Sequence, residues 1–400
     1  MIPFSPPHID EKIIDEVTAA LRSGWITTGP RTKRFEEMIA AYCGISNALC
    51  VSSNSMGMEL MLRWFGVGPG DEVIVPAYTY CATANVVVHC GAKPVMVDVN
   101  EDFDIQVENI RKAITPRTKV VMPVDIAGWP CDYEAINALV SEADVRAQFV
   151  PNSEPQRLLG RILVLSDAAH SIGARYHGKF VGALTDLSVI SFHAVKNLTT
   201  AEGGVICLNL PQPFDNEQVY KSLRTLSLHG QSKDAFAKAQ IGNWRYDVAE
   251  AGFKCNMPDV LAAIGLIEME RYEDVLARRK QIFDAYTAAF SKNPKFQIPV
   301  YENDEKQSSY HVYTLRINDI TEKQRDEIMQ HIFEKEVAVN VHFIPLPMLS
   351  YYRNAGYRME DYPVAYDNFS REISLPVYYN LTDEQVETVI QAVSSAVEQL

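Results

Sequence analysis

The chain has 400 residues, of which 47% are hydrophobic, 10% aromatic and 22% charged. This length exceeds the ~150 residues of a typical domain and predicts one large and one smaller domain, and the composition excludes disordered and fibrous proteins. The 37 basic and 51 acidic side chains give a formal net charge of −14, which is the wrong sign for broad binding to nucleic acid or to anionic lipid.

Neither the cysteines nor the start of the chain indicates secretion or a membrane. The seven cysteines form an odd-numbered set without a C-x-x-C pair, which predicts free thiols in a reducing compartment rather than disulfides or a zinc site. The opening MIPFSPPHIDEKII lacks the regions of a signal peptide, and no run approaches the ~18 apolar residues of a membrane span. We therefore expect a soluble, cytoplasmic protein.

Short apolar runs rich in β-branched residues alternate with helix-like stretches in the first half of the chain. The runs cover residues 47–52, 72–75, 94–97, 119–123, 162–166, 188–192 and 205–208. This alternation is typical of a mostly parallel sheet, here of seven strands, covered by helices on both faces. A polar segment with two prolines, residues 145–161, interrupts the pattern and predicts a surface excursion.

The pattern changes near Gly252. A long amphipathic helical region over residues 259–290 is followed by a predicted strand at 311–316, a helix at 322–335, a strand at 338–343 and a closing helix from Asp383. This order predicts a large domain of residues 1–255 and a small C-terminal α+β domain of residues 256–400.

Three polar features follow predicted buried strands, where open α/β sheets bind their ligands. In the first, residues 51–57 (VSSNSMG) lead from a strand into a helix predicted over residues 56–65. Ser55 at the start of that helix, together with free backbone N–H groups, is suited to hold a phosphate. The alternative is an ordinary serine N-cap.

The second and third features are a carboxylate and a lysine. Asp167 ends a buried strand, where a carboxylate needs a cationic ring nitrogen, a metal or a capping role in the next turn; the absence of another cluster with metal-ligand spacing disfavours a metal. Lys196 follows the next buried strand, and apolar surroundings favour the neutral amine that forms a Schiff base with a carbonyl. A surface lysine is the alternative reading. Gly203 and Gly204 permit close approach of the backbone.

Taken together, the three features indicate pyridoxal 5′-phosphate. The phosphate cradle anchors this cofactor, Asp167 keeps its pyridine nitrogen protonated, and Lys196 holds its aldehyde. Tyr80, at a strand-to-helix junction in PAYTYCATAN, is placed to stack on the ring.

Blocks along nearly the whole chain resemble the sugar-nucleotide aminotransferases of the DegT/DnrJ/StrS type. These blocks are GWITTGPRTKRFEE (24–37), GVGPGDEVIVPAYTYCATAN (66–85), DAAHSIGA (167–174), SFHAVKNLTTAEGG (191–204), GFKCNMPDVLAAIGL (252–266) and, near the end, HFIPLP and SLPVYYNLT. The lysine block most resembles the branch that makes UDP-4-amino-4-deoxyarabinose. The resemblance implies the aspartate aminotransferase-like α/β fold of type I enzymes that use pyridoxal phosphate.

The resemblance also implies roles around the cofactor ring. It makes Lys196 the Schiff-base lysine and the proton carrier, and it pairs Asp167 with the pyridine nitrogen. His170 takes the place of the usual Gln beside the ring hydroxyl, and Tyr80 would stack on the ring.

The phosphate would be bound by Ser55, Ser191 and the backbone of Met56. The loop that holds Lys254 and Asn256 corresponds to one that reaches the cofactor of a neighbouring subunit, which implies a homodimer with active sites at the interface. Many family members have Asn and Arg at these two positions, so either residue is a candidate for the contact.

Residues that the resemblance or the local pattern places near the sugar are Trp25, Thr28, His193, His229 and His342. Two positions expected to border the sugar pocket depart from the family pattern: Asp125 and Pro347 stand where His is frequent.

The implied reaction transfers an amino group from glutamate to the keto carbon of a nucleotide-linked sugar, for amino sugars of lipopolysaccharide or another cell-surface polysaccharide. The nucleotide, the sugar and the position of amination stay open. Alternatives are a 3-dehydratase, whose relatives replace Lys196 with His; a non-catalytic regulator, which has no need for Lys196, Asp167 and Ser191 together; and a lyase or desulfurase, which needs an exposed reactive cysteine or another acid.

Overall fold

A computed structural model of the chain describes residues 1–231 and 245–399. Its strands, β1 to β13 in chain order, are Asn47–Val51, Glu72–Pro76, Lys93–Val97, Thr118–Val121, Leu163–Asp167, Arg175–Tyr176, Lys179–Phe180, Leu187–Ser191, Gly204–Leu208, Phe296–Gln297, Lys306–Gln307, Tyr313–Ile317 and Glu372–Leu375. Its helices in these ranges, α1 to α15, are Glu11–Arg22, Pro30–Cys43, Asn54–Trp64, Ala82–His89, Val107–Ala113, Tyr133–Ser141, Ala143–Gln148, Glu154–Leu159, Asn216–Leu226, Asp259–Glu270, Tyr272–Phe290, Glu322–Phe333, Ser350–Asn354, Pro363–Arg371 and Asp383–Glu398.

The large sheet has seven strands in the order β1-β9-β8-β5-β4-β2-β3. Strand β9 is antiparallel to both of its neighbours, and the other pairs are parallel. Every residue of β2, β4, β5, β8 and β9 is buried, as expected for strands covered on both faces. The predicted mostly parallel sheet is confirmed, and each predicted run overlaps one strand with ends that agree within two residues.

Helix α3 follows strand β1 and begins at the carboxyl end of that strand. It packs on β8 and β9, and a Cβ at Gly57 would lie 2.7 Å from Val189 Cγ1, so the absence of a side chain permits this close packing. The helix begins at Asn54 because Ser53 caps it: the Ser53 Oγ accepts the Met56 backbone N–H at 3.1 Å.

The C-terminal part combines helices with a second sheet. The helical region predicted over residues 259–290 consists of α10 and α11, which are separated at Arg271 where the backbone leaves helical geometry (φ −108°, ψ 6°). Strand β12 pairs with β10 and β13, and α12 and α15 pack against each other. Helix α10 packs on α1 and α2.

Two local predictions need correction. The strand predicted over residues 338–343 is wrong: Ala338 donates its N–H to Ile2 and Asn340 exchanges hydrogen bonds with Ser374, so single contacts on two sides replace a continuous ladder. The segment 145–161 is not a surface excursion throughout. It contributes to α7 and α8, and the fully buried Gln156 donates its side-chain amide to Phe65 O at 3.0 Å.

All seven cysteines are free, and six of them are buried. Among residues 1–231 and 245–399, no helix combines the length and apolar character needed to cross a membrane.

Candidate active site

A cavity of 310 Å³ lies where several parallel strands of the large sheet reach their carboxyl ends. Its wall includes Ser55 after β1, Tyr80 after β2, Asp167 at the end of β5, and Ser191 and Lys196 at and after the end of β8. The fold therefore brings the three features noted in the sequence to one edge of one sheet.

Lys196 lies in the turn after β8, with its side chain in the cavity wall. Removal from water lowers the pKa of this amine to about 8, and the opposing effect of the Asp167 carboxylate is smaller. An amine with this pKa has a substantial neutral, nucleophilic fraction near neutral pH.

Asp167 is buried, and hydrogen bonds reach both of its carboxylate oxygens. Thr83 Oγ1 donates to Oδ2 at 2.8 Å, while Asn54 Nδ2 and the Ala169 backbone N–H each donate to Oδ1 at 3.3 Å. Burial raises the pKa of Asp167, and the bond from Thr83 is the largest opposing effect. A cationic ring nitrogen in the cavity would stabilise the ionised form further.

Sequence reasoning missed the roles of Thr83 and Asn54. Thr83 lies in the segment PAYTYCATAN and Asn54 in VSSNSMG. In the sequence, however, they are 84 and 113 residues away from Asp167, respectively. The one signal that the sequence offers for Thr83 and Asn54 is a hydroxyl or amide side chain in the first turn of the helix that follows a buried strand.

The start of α3 differs from the prediction in one respect. Because the helix begins two residues earlier than expected, Ser55 lies in its first turn and faces the cavity. The Met56 N–H instead donates to Ser53 Oγ, and Met56 is outside the wall. The backbone of Met56 is therefore engaged in capping, and Ser53 joins Ser55 in the wall.

The backbone packs closely beneath this helix start. A Cβ at Gly204 would lie 2.5 Å from Asn54 N and 2.7 Å from Ser53 C, distances that no side chain can occupy without moving the backbone. The opposite side of the cradle carries Ser191, whose Oγ accepts the His193 N–H at 3.3 Å. Two serines and a helix start therefore line the same cavity, and groups of this kind are suited to bind an anion.

Two buried histidines lie side by side in the wall, with ring centroids 4.4 Å apart. His170 Nδ1 accepts the Ala127 N–H at 3.2 Å, and His311 Nδ1 lies 2.8 Å from Asn197 Oδ1. Burial lowers the pKa of both rings well below their ordinary value, so both are neutral. His311 was assigned only to a predicted strand by the sequence; it precedes β12 and lines the cavity.

The mouth of the cavity is largely aromatic. Tyr80 is 58% exposed and lies 5.5 Å from the Phe343 ring, while Phe4 stacks on His342 at 5.4 Å. His193 stands at the rim, exposed, with Nε2 3.7 Å from Glu202 Oε1. Phe4 and Phe343 were not predicted, because their distance from the other wall residues in sequence gives no local signal.

Besides Met56, five predicted site residues are outside this chain's cavity wall: Trp25, Thr28, His229, Lys254 and Asn256. His229 is exposed and donates its backbone N–H to Phe253 O at 2.6 Å, so it lies on the surface loop after α9.

The other four form one linked group. The Trp25 indole donates to Thr28 O at 3.2 Å, Asn256 donates to the Thr28 hydroxyl, and Lys254 donates to Asn256 Oδ1. The group is anchored at the end of β1, where Ser52 N donates to Cys255 O at 2.7 Å. Lys254 itself is exposed.

Asp125 and Pro347 do not border the cavity, contrary to expectation. Asp125 is fully buried and accepts hydrogen bonds from Tyr133 OH and Ser171 Oγ, both at 2.6 Å, and from the Cys131 N–H at 3.0 Å. Pro347 is buried in the short 3₁₀ turn Leu346–Met348.

The donor set fits pyridoxal 5′-phosphate and not a metal. Asp167 is a buried acceptor suited to a protonated ring nitrogen, Lys196 is a depressed-pKa amine suited to an aldehyde, and Ser55 and Ser191 are suited to a phosphate. Within the part of the chain that the structure describes, no group of three or more His, Cys, Asp or Glu side chains is arranged for a metal ion.

This sheet and this site define an aminotransferase of fold type I that uses pyridoxal phosphate. Residues 7–148 and 159–394 match the DegT/DnrJ/EryC1/StrS aminotransferase family, and the chain belongs to that family. The family-level prediction, the fold class and the cofactor are thereby confirmed.

Individual relatives cover the full length of the chain. The spore coat polysaccharide biosynthesis protein SpsC of Bacillus subtilis is 35% identical over an alignment 403 residues long, which covers 99% of this chain and 97% of that one. Spr1654 of Streptococcus pneumoniae, a candidate sugar aminotransferase solved in its PMP form, has a TM-score of 0.96 and 43% identity over 100% of both chains; a PLP form is also solved. Helicobacter pylori PseC, an aminotransferase involved in pseudoaminic acid biosynthesis, has a TM-score of 0.86 and 25% identity, again over 100% of both chains.

Proposed function

We propose that this sugar aminotransferase takes the amino group of glutamate and transfers it to the keto carbon of a nucleotide-linked keto-sugar. The observation that carries the proposal is the pairing, in one cavity, of a lysine with a pKa of about 8 and a buried, hydrogen-bonded aspartate. When bound, pyridoxal phosphate supplies an aldehyde that carries the amino group and a ring that accepts electrons.

The residues of the cavity divide the work. Lys196 would hold the cofactor and then, as a neutral amine, move a proton at its Nζ. Asp167 would pair with the ring nitrogen, His170 would lie beside the ring hydroxyl, and Tyr80 would cover the ring face. With the cofactor and the sugar in the cavity, little room would remain for water around Lys196 during the proton transfer.

Ser55 and Ser191 would bind the phosphate. The partner's copy of the loop with Lys254 and Asn256 would complete this end of the site in a homodimer. Two observations support a contribution in trans: Lys254 is exposed, and neither residue lines its own chain's cavity. Among the described wall residues, Lys196 is the one lysine or arginine, whereas the ligands bring several anionic groups.

The sugar would enter past the aromatic mouth, where His193 and His342 offer polar contacts. The product would serve the synthesis of an amino sugar for lipopolysaccharide or another cell-surface polysaccharide, since SpsC takes part in spore coat polysaccharide biosynthesis and PseC in pseudoaminic acid biosynthesis. We place the enzyme in the cytoplasm because its seven cysteines are free thiols.

An absorbance spectrum of the purified protein tests the chemistry. Wild type loaded with pyridoxal phosphate is expected to absorb in the near-visible, and glutamate is expected to bleach this band. Lys196→Ala should lack both the band and the response, whereas Lys323→Ala, at a side chain 88% exposed, should behave as wild type. A wild type that binds no cofactor or ignores glutamate contradicts the proposal.

The acceptor is tested separately. The glutamate-treated enzyme is mixed with a panel of nucleotide-linked keto-sugars, and mass spectrometry is used to find an amino-sugar nucleotide. Amination of free keto-sugars but of no nucleotide-linked one would contradict the proposed substrate class while leaving the transaminase chemistry intact.

A further inference from the structure

A chain of three hydrogen-bonded groups leads from a buried carboxylate to the cavity. Glu372, fully buried at the start of β13, lies with Oε1 2.5 Å from Ser374 Oγ. Ser374 Oγ lies 2.8 Å from His342 Nδ1, and the His342 ring is part of the cavity wall. His342 Nε2 makes no hydrogen bond within residues 1–231 and 245–399, so it is available to a ligand.

The position of this histidine is fixed by further contacts. Its backbone N–H donates to Glu372 Oε2 at 3.1 Å, and its carbonyl accepts the Tyr78 hydroxyl at 2.7 Å. Phe4 stacks on the ring. The two backbone contacts fix where the ring is attached, and the ring itself cannot turn away from Ser374 without losing its stacking on Phe4 and the hydrogen bond to Ser374 Oγ.

The single hydroxyl hydrogen of Ser374 can point in only one direction at a time. If Glu372 is ionised, Ser374 donates to it, and its oxygen then accepts from His342 Nδ1–H, which leaves Nε2 as an acceptor. If Glu372 is protonated, it donates to Ser374, Ser374 donates to Nδ1, and the hydrogen of the neutral ring lies on Nε2.

We propose that Glu372 and Ser374 are positioning residues that set the tautomer of His342, so that its Nε2–H donates a hydrogen bond to an oxygen atom of the sugar. The identity of the ligand rests on the function proposed above, whereas the control of the tautomer does not.

The charged and titratable groups that face the chain are Arg316, Arg325 and Tyr78 at Glu372, and Lys196, His170 and His311 at His342. Burial raises the pKa of Glu372 to about 8, against smaller opposing effects of Ser374, the His342 N–H and the two arginines. Burial and the charge of Lys196 lower the pKa of His342 to about 4. Near neutral pH the imidazole is therefore neutral and Glu372 is protonated, which is the arrangement with hydrogen on Nε2.

The variant Glu372→Gln fixes this arrangement by its chemistry. The His342 backbone N–H can only donate, so the amide oxygen of the new side chain must face it. The amide NH₂ then faces Ser374 and donates to it, as a protonated carboxyl does. This variant is expected to keep hydrogen on Nε2 at every pH, whereas Ser374→Ala breaks the chain and is expected to give a mixture of tautomers.

The test is ¹⁵N NMR of the full-length holoenzyme labelled at histidine, with His342 assigned by comparison with His342→Gln. In wild type, hydrogen is expected on Nε2 at pH 6.5 and on Nδ1 at pH 9.5, with a midpoint near pH 8. Glu372→Gln should abolish this change. Glu36→Gln is the matched control, because Glu36 is also buried and hydrogen-bonded but lies outside the cavity. A pH-independent tautomer in wild type, or one unchanged in both Glu372→Gln and Ser374→Ala, overturns the proposal.

Kinetics connect the tautomer to the sugar. Between pH 7 and pH 9.5 the KM for the nucleotide-linked keto-sugar is expected to rise about 10-fold more in wild type than in Glu372→Gln, as expected for the loss of one hydrogen bond. The comparison removes the effect of Lys196, whose pKa is also about 8 and which titrates in both enzymes. A parallel rise in both enzymes overturns the sugar contact. Failure of the proposed function is recognised independently, because the glutamate response of the absorbance spectrum reports it without any sugar.

Discussion

At the scale of single residues, the state of Asp167 depends on the few donors around it. Its burial raises its pKa, and the Thr83 hydroxyl at 2.8 Å is the largest opposing influence. Hydrogen bonds to charged groups stabilise by ~1.5–3 kcal/mol. The Thr83 hydroxyl, which lies outside the cavity wall, therefore opposes the effect of burial and favours the ionised form of Asp167 that a protonated ring nitrogen would need.

We predict that Thr83→Val weakens binding of pyridoxal phosphate by ~10- to 100-fold, the factor that corresponds to such a bond. Valine keeps the shape of threonine but removes the O–H donor. The measurement is a titration of the apoenzyme followed by absorbance. Thr83→Ser restores a hydroxyl and should recover most of the affinity; equal losses in the two variants would show that packing, not the hydrogen bond, is responsible.

Lys196 gives a prediction about pH. Because burial lowers the pKa of its amine to about 8, its neutral fraction should rise through a midpoint near pH 8. The measurement is the rate at which an aldehyde reagent, trapped with borohydride, labels the Lys196 peptide of the apoenzyme. Asp167 raises the pKa of Lys196, so Asp167→Asn should move the midpoint to lower pH. A midpoint near 10.5, the ordinary value for lysine, would contradict a desolvated amine.

The sequence indicated the residues whose chemistry is unusual for their place in the chain. Asp167 and Lys196 could be found because a charge directly after a buried strand requires a reason. Thr83, Asn54 and His311 could not, since polar residues at such places are ordinary until the fold brings them to Asp167 or to the cavity. The family resemblance assigned the backbone of Met56 to the phosphate, and only the fold shows that its N–H donates to Ser53 Oγ.

At the scale of secondary structure elements, the meeting of β9 with the start of α3 is the tightest point of the cradle. A Cβ at Gly204 would lie 2.5 Å from a backbone nitrogen of α3. We predict that Gly204→Ala lowers the free energy of unfolding by ~1–3 kcal/mol, as overpacking does, and also weakens cofactor binding. Denaturant unfolding of the apoenzyme and absorbance titration measure the two effects.

The matched control for this substitution is Gly68→Ala. No atom lies within 4 Å of a Cβ at Gly68, and its φ is not in the left-handed region, so this change should leave both quantities near wild type. If Gly204→Ala and Gly68→Ala have the same free energy of unfolding, the start of α3 can shift at no cost in stability, and the cradle is not rigid.

Helices and strands could be predicted from the sequence where all residues of a segment have the same surroundings. Five strands of the large sheet, β2, β4, β5, β8 and β9, are buried along their whole length, which gives continuous apolar runs that mark their limits. Residues 338–343 have the composition of a strand, yet they divide their contacts between Ile2 and Ser374, and only the fold determines that division. Strand β13, which pairs with β12 instead, was not identified because its four residues follow α14 without a break.

At the scale of the whole molecule, the order of a large α/β part and a smaller α+β part follows from the change of pattern near Gly252. The boundary between residues 255 and 256 stays a prediction. Helix α10, beyond it, packs on α1 and α2 from the start of the chain, and residues of both parts line the cavity. His311 and His342 come from the second part, and Asp167 and Lys196 from the first.

The shared site of the proposed homodimer leads to the last prediction. We co-express Lys196→Ala with a Lys254→Ala/Asn256→Ala chain under different tags and purify the heterodimer. If the loop acts on its partner's cofactor, this heterodimer contains one complete site and should show about half of the wild-type kcat, whereas each variant homodimer is inactive. A loop that acts within its own chain would leave both sites incomplete.

The reciprocal arrangement makes the result unambiguous. When all three substitutions are placed in one chain and its partner is wild type, a loop acting in trans leaves no complete site, and activity should be lost. A loop acting in cis would instead leave the wild-type subunit intact, at about half of the wild-type kcat. Because Asn256 also holds Thr28, circular dichroism and size-exclusion chromatography must first show that the loop variant is folded and dimeric. The two heterodimers carry the same three substitutions and differ only in how these are distributed between the chains. A difference in their activities therefore depends only on whether the loop of Lys254 and Asn256 acts on its own chain's site or on its partner's.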